Sequence, residues 1–275
     1  MTKIKLLNSL MLAALAVPGA AMAADAETTQ HKEGIHVIPA SAHTVTANIG
    51  IATDYIFRGI SQSQHKPAVS GGVDYSHASG LYAGVWASTQ KWVETGGTDA
   101  ANDPYKTSSD VEVDLYGGYK GTLGEAGYDI GAIRYYYTGD KVATQVSPDT
   151  TEVYLGASFK MLSVKYSHVV SDYFIGWGVL DTTKTKGSNY LELNASHDLG
   201  DGWGLLGHIG KQKVKNVSTA DYADWKIGVT RDVGFGTVTV AYSDTDAQGD
   251  AGQAYSWDNE DTGKGVLAVS FAKSF

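Results

Sequence analysis

The sequence predicts an all-β fold, a transmembrane antiparallel β-barrel of about 12 strands. Segments of about ten residues with alternating apolar and polar side chains recur along the chain, as expected of strands whose two faces meet different media. The alternation runs to the end of the chain, where Leu267, Val269, Phe271 and Phe275 keep one parity around an off-pattern Lys273. The links between these segments alternate in length, short turns at one end and longer loops at the other.

Taken in order, residues 1–23 read as a cleaved export signal. Lys3 and Lys5 form its basic start, Leu6 to Val17 its apolar stretch, and Ala21-Met22-Ala23 its small-residue cleavage site. Residues 24–43 are polar and contain His31, His36 and His43; no ligand spacing joins them, so a flexible periplasmic tail is expected rather than a metal site. The barrel is assigned to 44–275. After the signal no run of about 18 apolar residues remains for a membrane helix, so a membrane form must be a closed barrel with no unpaired strand edge.

Composition agrees. The chain has 33 Gly, 17 Tyr and 6 Trp against 5 Pro, and Tyr and Trp are the residues of interfacial girdles. With no Cys, neither a disulfide framework nor a lipid anchor is available. Removal of Lys3 and Lys5, with no acid lost, takes the formal charge from −9 to −11, the wrong sign for binding nucleic acid.

The first strand is expected from Thr44 to Gly59, with Val45, Ala47, Ile49, Ile51, Tyr55 and Phe57 toward lipid and Thr46, Asn48, Asp54 and Arg58 inward. A one-residue slip would put charges in lipid, so the register is well specified. The second runs from Pro67 to Ser76 with Asp74 inward. The third, from Leu81, turns Tyr82, Trp86, Ser88 and Gln90 inward. Nine more follow near 109–120, 127–137, 151–160, 162–173, 188–199, 203–212, 223–232, 236–245 and 264–275. The longer links are 60–66, 91–108, 138–150, 174–187, 213–222 and 246–263. The twelfth strand makes the number even, which returns both ends of the chain to one side. In the fifth strand, alternation puts Arg134 on the lipid face, where a midplane position costs about 2–4 kcal/mol; either a bulge or a place near the interface is expected.

The stretch Asp54-Tyr55-Ile56-Phe57-Arg58-Gly59-Ile60-Ser61-Gln62-Ser63, followed by Lys66-Pro67-Ala68, Gly71-Gly72-Val73-Asp74-Tyr75 and Ser79 to Ser88, resembles the opening of the TorF family of porins. Similarity extends through Glu112 to Tyr119, Lys165-Tyr166-Ser167 and the C-terminal aromatic. The resemblance implies an outer-membrane barrel with a pore-forming role in a Gram-negative bacterium, and it carries no catalytic residues.

The lumen is where polar side chains avoid a lipid penalty. Its expected lining comprises Asp54, Arg58, Asp74, Tyr82, Trp86, Glu112, Asp114, Tyr116, Glu152, Lys165, Glu192 and Lys226, with Lys120 and Tyr154. Acids outnumber bases, and carboxylate rings favour cations, so a weakly cation-selective channel for small hydrophilic solutes or ions is expected. Arg58 with Asp54 and Asp74 is read as either a charged constriction or a salt-bridge network holding the first hairpin. Two other classes remain: a non-conducting barrel acting through its loops, and a barrel-embedded lipid hydrolase. His77, His168, His197 and His208 show no nucleophile-base spacing, so no enzyme is expected. Acids in the loops at 91–108 and 246–263 match no calcium-loop spacing, and no metal or other cofactor is assigned. Expected partners are outer-membrane lipid and lipopolysaccharide, the insertion machinery through the strand ending in Phe275, and the permeants.

Overall fold

The computed structural model describes residues 41–95, 109–139, 147–177 and 183–275. The assigned export signal at 1–23 and the tail as far as residue 40 lie outside the described residues.

Twelve strands form the wall: β1 (His43–Ala52), β2 (Ala68–His77), β3 (Leu81–Thr89), β4 (Val111–Leu123), β5 (Ala126–Tyr137), β6 (Thr150–Phe159), β7 (Leu162–Val169), β8 (Asn189–Gly200), β9 (Trp203–Lys213), β10 (Tyr222–Asp232), β11 (Thr237–Thr245) and β12 (Val266–Ser274). Each pairs antiparallel with its neighbours in the chain, and β12 returns to β1 with Asn48 opposite Ser274 and Ala52 opposite Ser270, which closes the barrel. Closure leaves no strand edge unpaired, the condition lipid imposes. Among the described residues no helix is long and apolar enough to cross a membrane.

The pleat sorts the side chains. Val45, Ile49, Ile51, Val73, Val85, Leu155, Leu193, Ile227 and Val269 stand exposed on the outside, while Glu112, Asp114, Glu152 and Glu192 are buried within. An apolar outside around a charged inside reverses the order of a water-soluble protein and suits a lipid surround. Tyrosines fill much of the interior, and small residues beside them make the room. A Cβ on Gly84 would lie 2.5 Å from the ring of Tyr116.

The structure changes the expected first strand. β1 stops at Ala52, and residues 53–67 turn into the lumen instead of continuing up the wall. Within them Ile56–Phe57 pairs with Ile60–Ser61 in a short ribbon. Tyr55 and Phe57, expected toward lipid, are 4% and 8% exposed and face the interior. The link expected at 60–66 is thus a lumenal segment rather than a surface loop. The reason is length. A crossing strand needs about 9–11 residues, which 43–52 already supplies.

Two smaller differences concern β5 and β7. Arg134 keeps unbroken register, opposite Leu115 on one side and Thr151 on the other, so there is no bulge. It sits three residues from the long-loop end of β5, ion-paired to Asp149 at 3.2 Å and donating to Thr151 at 3.0 Å. The strand expected to reach 173 ends at Val169, where the segment around Phe174 begins to pack into the mouth.

Candidate functional site in the barrel lumen

The ribbon in 53–67 turns at Arg58-Gly59, with φ of +49° and +81°. Two successive positive φ values make the tight turn whose twist matches a two-stranded ribbon. Gly59 is required twice over, because a Cβ there would also come within 2.6 Å of side chains on β10 and β11, Asp224 and Thr245. The turn is therefore seated against β10 and β11.

Arg58 is the pin. Its guanidinium makes two bonds to the Glu152 carboxylate on β6, at 2.7 and 3.0 Å, and a third to Gln212 Oε1 on β9 at 3.0 Å. Its Cζ lies 4.4 Å from the ring centroid of Tyr190 on β8 and 4.8 Å from that of Phe57. A fork of planar donors matched to a carboxylate and covered by aromatic faces is a geometry only arginine supplies. Because β6, β8 and β9 lie across the closed ring from β1, the hairpin spans the lumen.

The root is held by another acid. Asp54 Oδ1 accepts from Ser61 Oγ at 2.6 Å and Ser63 Oγ at 2.8 Å, and Oδ2 meets His65 Nδ1 at 2.8 Å. His65 Nε2 reaches the backbone oxygen of Asp261 at 2.9 Å, so the root is also tied to the 246–265 link. The hydrogen bond to Asp54 raises the pKa of His65 above its usual value. Above the hairpin, Trp92, Tyr137, Trp257 and Tyr255 form an aromatic layer, with Trp92 5.0 Å from Tyr137 and 5.5 Å from Trp257 between centroids.

The expected constellation of Arg58 with Asp54 and Asp74 is not formed. Asp54 binds the serines and His65, Arg58 binds Glu152, and Asp74 accepts from Tyr116 at 2.5 Å on the near wall. Tyr82 donates to Asp129 at 2.6 Å and shares a 2.5 Å contact with the Tyr154 hydroxyl. Trp86 stacks edge-on against Tyr55, centroids 5.5 Å apart, and Glu112 accepts from the Tyr55 hydroxyl at 2.5 Å. Lys165 pairs with Glu192 at 3.2 Å. Lys226 and Asp54 line, with Ile56, Ala241, Ser243 and Ala268, a cavity of about 20 Å³ beside the hairpin, room for about one water. Asp114 is fully buried, and neither of its carboxylate oxygens has a hydrogen-bond partner among the described residues.

Sequence reasoning missed Gln212, Tyr190 and Asp224, and considered His208 only among the histidines without catalytic spacing. His208 bonds Asn194 at 2.6 Å and Asp224 at 2.8 Å, and its Nε2 also lies 2.9 Å from the Tyr190 hydroxyl. All four share the inward parity of Glu192 and Lys226, and that parity was the available signal. His168 and His197 keep the outward parity expected of them, with His168 beside Tyr166.

The family model described as "Bacterial protein of unknown function (Gcw_chp)" matches residues 36–275. The chain belongs to that family. The Gcw_chp match takes in every barrel strand and the lumenal hairpin. No curated protein matches the chain. Among solved structures the Gcw_chp chain is similar to a KdgM porin in complex with disordered oligogalacturonate, at 9% identity over 84% of this chain and 99% of that one, with a TM-score of 0.47. It is similar to the NanC porin at 9% identity, over 84% and 98%, with a TM-score of 0.44. OprD of Pseudomonas aeruginosa matches at 13% identity, over 85% and 66%, with a TM-score of 0.38.

Proposed function

We propose that this protein is an outer-membrane channel of a Gram-negative bacterium for passive diffusion of small hydrophilic solutes or ions. It prefers cations weakly, and its throat is set by the hairpin 53–67. The observation that carries the reading is the charge at the level of the hairpin. Asp54, Glu112, Asp114 and Glu152 are buried there, and Arg58 is bound to one of them. Asp54 is bonded to His65 and Glu152 is paired with Arg58, which leaves Glu112 and Asp114 as the acids without a cationic partner, and carboxylates around a constriction favour cations that enter it. The resemblance to the TorF porins points the same way. The apolar belt would face lipid and lipopolysaccharide, and the strand ending in Phe275 would engage the insertion machinery.

The bonds that carry the hairpin across the lumen to β6 and β9 favour a second reading, a non-conducting barrel that acts through its loops. The hydrolase reading has less behind it: His208 is held by Asn194, Asp224 and the Tyr190 hydroxyl, and His77 meets Ser79 at 2.8 Å within an exposed turn where the Ser79 backbone N–H also donates to the same ring nitrogen. Single-channel recording of refolded protein under a salt gradient separates the first two. Discrete steps with a cation-selective reversal potential support the channel. A stably inserted barrel that stays silent, and remains silent when Arg58→Ala frees the hairpin, leaves the loops as the functional surface.

A further inference from the structure

Asp114 lies on β4 with Trp86 of β3 opposite it on one side and Tyr135 of β5 on the other. It is 0% exposed, and both its oxygens lack a donor among the described residues. Buried carboxylates without donors are rare, because the group gives up its hydration for nothing. The neighbouring groups cannot supply what is missing. Glu112, two residues along the same inward face and so roughly 7 Å away, is itself an acceptor and takes the hydroxyls of Tyr55 and Tyr137. Tyr135 directs its hydroxyl to Glu152 Oε2 at 3.3 Å, and Arg58 is committed to Glu152 and Gln212. The result is a pair of buried carboxylates on one strand face, with Trp86 and Tyr135 on the strands either side of Asp114.

We propose that Asp114, with Glu112 beside it, is a docking point for a protonated amine. The proposal rests on the cation-preferring reading above and deepens it by naming a substrate class. An ammonium group brings three donors to the two carboxylates, and the aromatic residues Trp86 and Tyr135 stand opposite Asp114 on the flanking strands, the kind of surround that suits a cation. A dedicated metal cage fits less well, since no three His, Cys, Asp or Glu among the described residues are arranged to hold an ion. Tyr55, at the root of the hairpin, bonds Glu112 and stacks on Trp86, so the amine enters as the Tyr55 ring swings away. An acceptor left without a donor in the resting state is the kind of stability loss that binding sites retain.

The test is calorimetric titration of the refolded full-length barrel in detergent with methylammonium chloride. Potassium chloride serves as the charge control and tetramethylammonium as the control without N–H donors. We expect methylammonium to bind most tightly, Asp114→Asn to weaken it tenfold or more, and Asp114→Glu to keep it within about threefold. Asp114→Asn should unfold at the same temperature as the parent or higher, which separates loss of a ligand from loss of structure. Equal heats for methylammonium and tetramethylammonium, or for the parent and Asp114→Asn, would overturn the proposal; the second is the result if Asp114 simply carries a proton. Bilayer recording on the same preparation distinguishes the two failures. Cation-selective current without amine binding sinks the site and leaves the channel, whereas amine binding without current sinks the channel and leaves the site.

Discussion

The wall and the hairpin of this barrel obey opposite rules although they are continuous in the chain. Ile51, near the end of β1, is 57% exposed and faces lipid, while Tyr55, four residues on, is 4% exposed and faces the lumen. On the wall each strand repeats its neighbour, so the register is shared among many weak contacts. The hairpin has no such redundancy. It stands on one buried ion pair at the tip, one acid at the root and one turn that needs Gly59. The wall should therefore tolerate single changes that the hairpin cannot.

The largest effect is expected at the tip. Removing one partner of a buried ion pair strands the other and costs about 3–5 kcal/mol. Arg58→Ala leaves Glu152 unpaired, whereas Arg58→Ala with Glu152→Gln leaves no orphaned charge and should recover much of the loss. The chain has no cysteine, which allows a clean reading. A thiol placed at Gln64, 7% exposed with the hairpin seated, should react with a soluble maleimide on the order of a hundredfold faster once Arg58 is gone, since each 1.4 kcal/mol is tenfold. Labelling unchanged by Arg58→Ala would mean that the aromatic layer, and not the pin, holds the hairpin.

On the wall, Ile227→Arg at the middle of β10 should cost about 2–4 kcal/mol. Arg134→Ala should change stability by no more than about 1 kcal/mol, its partial exposure and place near the strand end leaving the pair well screened. Urea unfolding in lipid vesicles reads both. A large loss at Arg134 would show that it anchors the mouth rather than merely tolerating its position.

The contrast also explains what could be read from the sequence. Apart from the first strand and the early end of β7, the strands lie where alternation and turn residues place them, and β12 shows why: Leu267 and Val269 outside with Ala268 and Ser270 inside define a face without reference to any partner. Parity likewise put Glu112, Asp114, Glu152, Lys165 and Glu192 inside. It failed from Thr53 onward, because a ribbon inside the lumen alternates as a strand in the wall does, and Tyr55 and Phe57 suit either. The 16 residues assigned to the first strand were too many for one crossing, and Arg58-Gly59 followed by Ser61-Gln62-Ser63 is turn chemistry rather than lipid-facing strand. Which acid Arg58 would choose was beyond reach, since Glu152 is 94 residues away and only closure of the ring brings β6 opposite β1.

Gly59→Ala strains the same hairpin without touching its charges. A positive φ and the approach of Asp224 and Thr245 make a cost of about 1–3 kcal/mol the expected outcome, seen as faster labelling at position 64 with unchanged ion selectivity. A changed reversal potential would mean that the tip sets selectivity by its shape and not by the acids around it.

The smallest effect is at the root and depends on pH. His65 is bonded to Asp54, with Lys264 opposing its charge, and its pKa in the folded state lies above the ordinary value of 6.5. A group whose pKa is raised by folding contributes stability that is complete below the unfolded pKa and is lost as the pH rises through the folded one. The root is thus held most firmly in mild acid and loosens as the pH climbs above about 6.5. Labelling at position 64, corrected for the pH dependence of maleimide chemistry with an exposed control thiol, should be a few-fold faster near pH 9 than near pH 5. His65→Gln should flatten that dependence while Arg58→Ala should not, because the pin at the tip does not titrate over that range. Persistence of the full dependence in His65→Gln would move the titrating group elsewhere and leave Asp54 held by its serines alone.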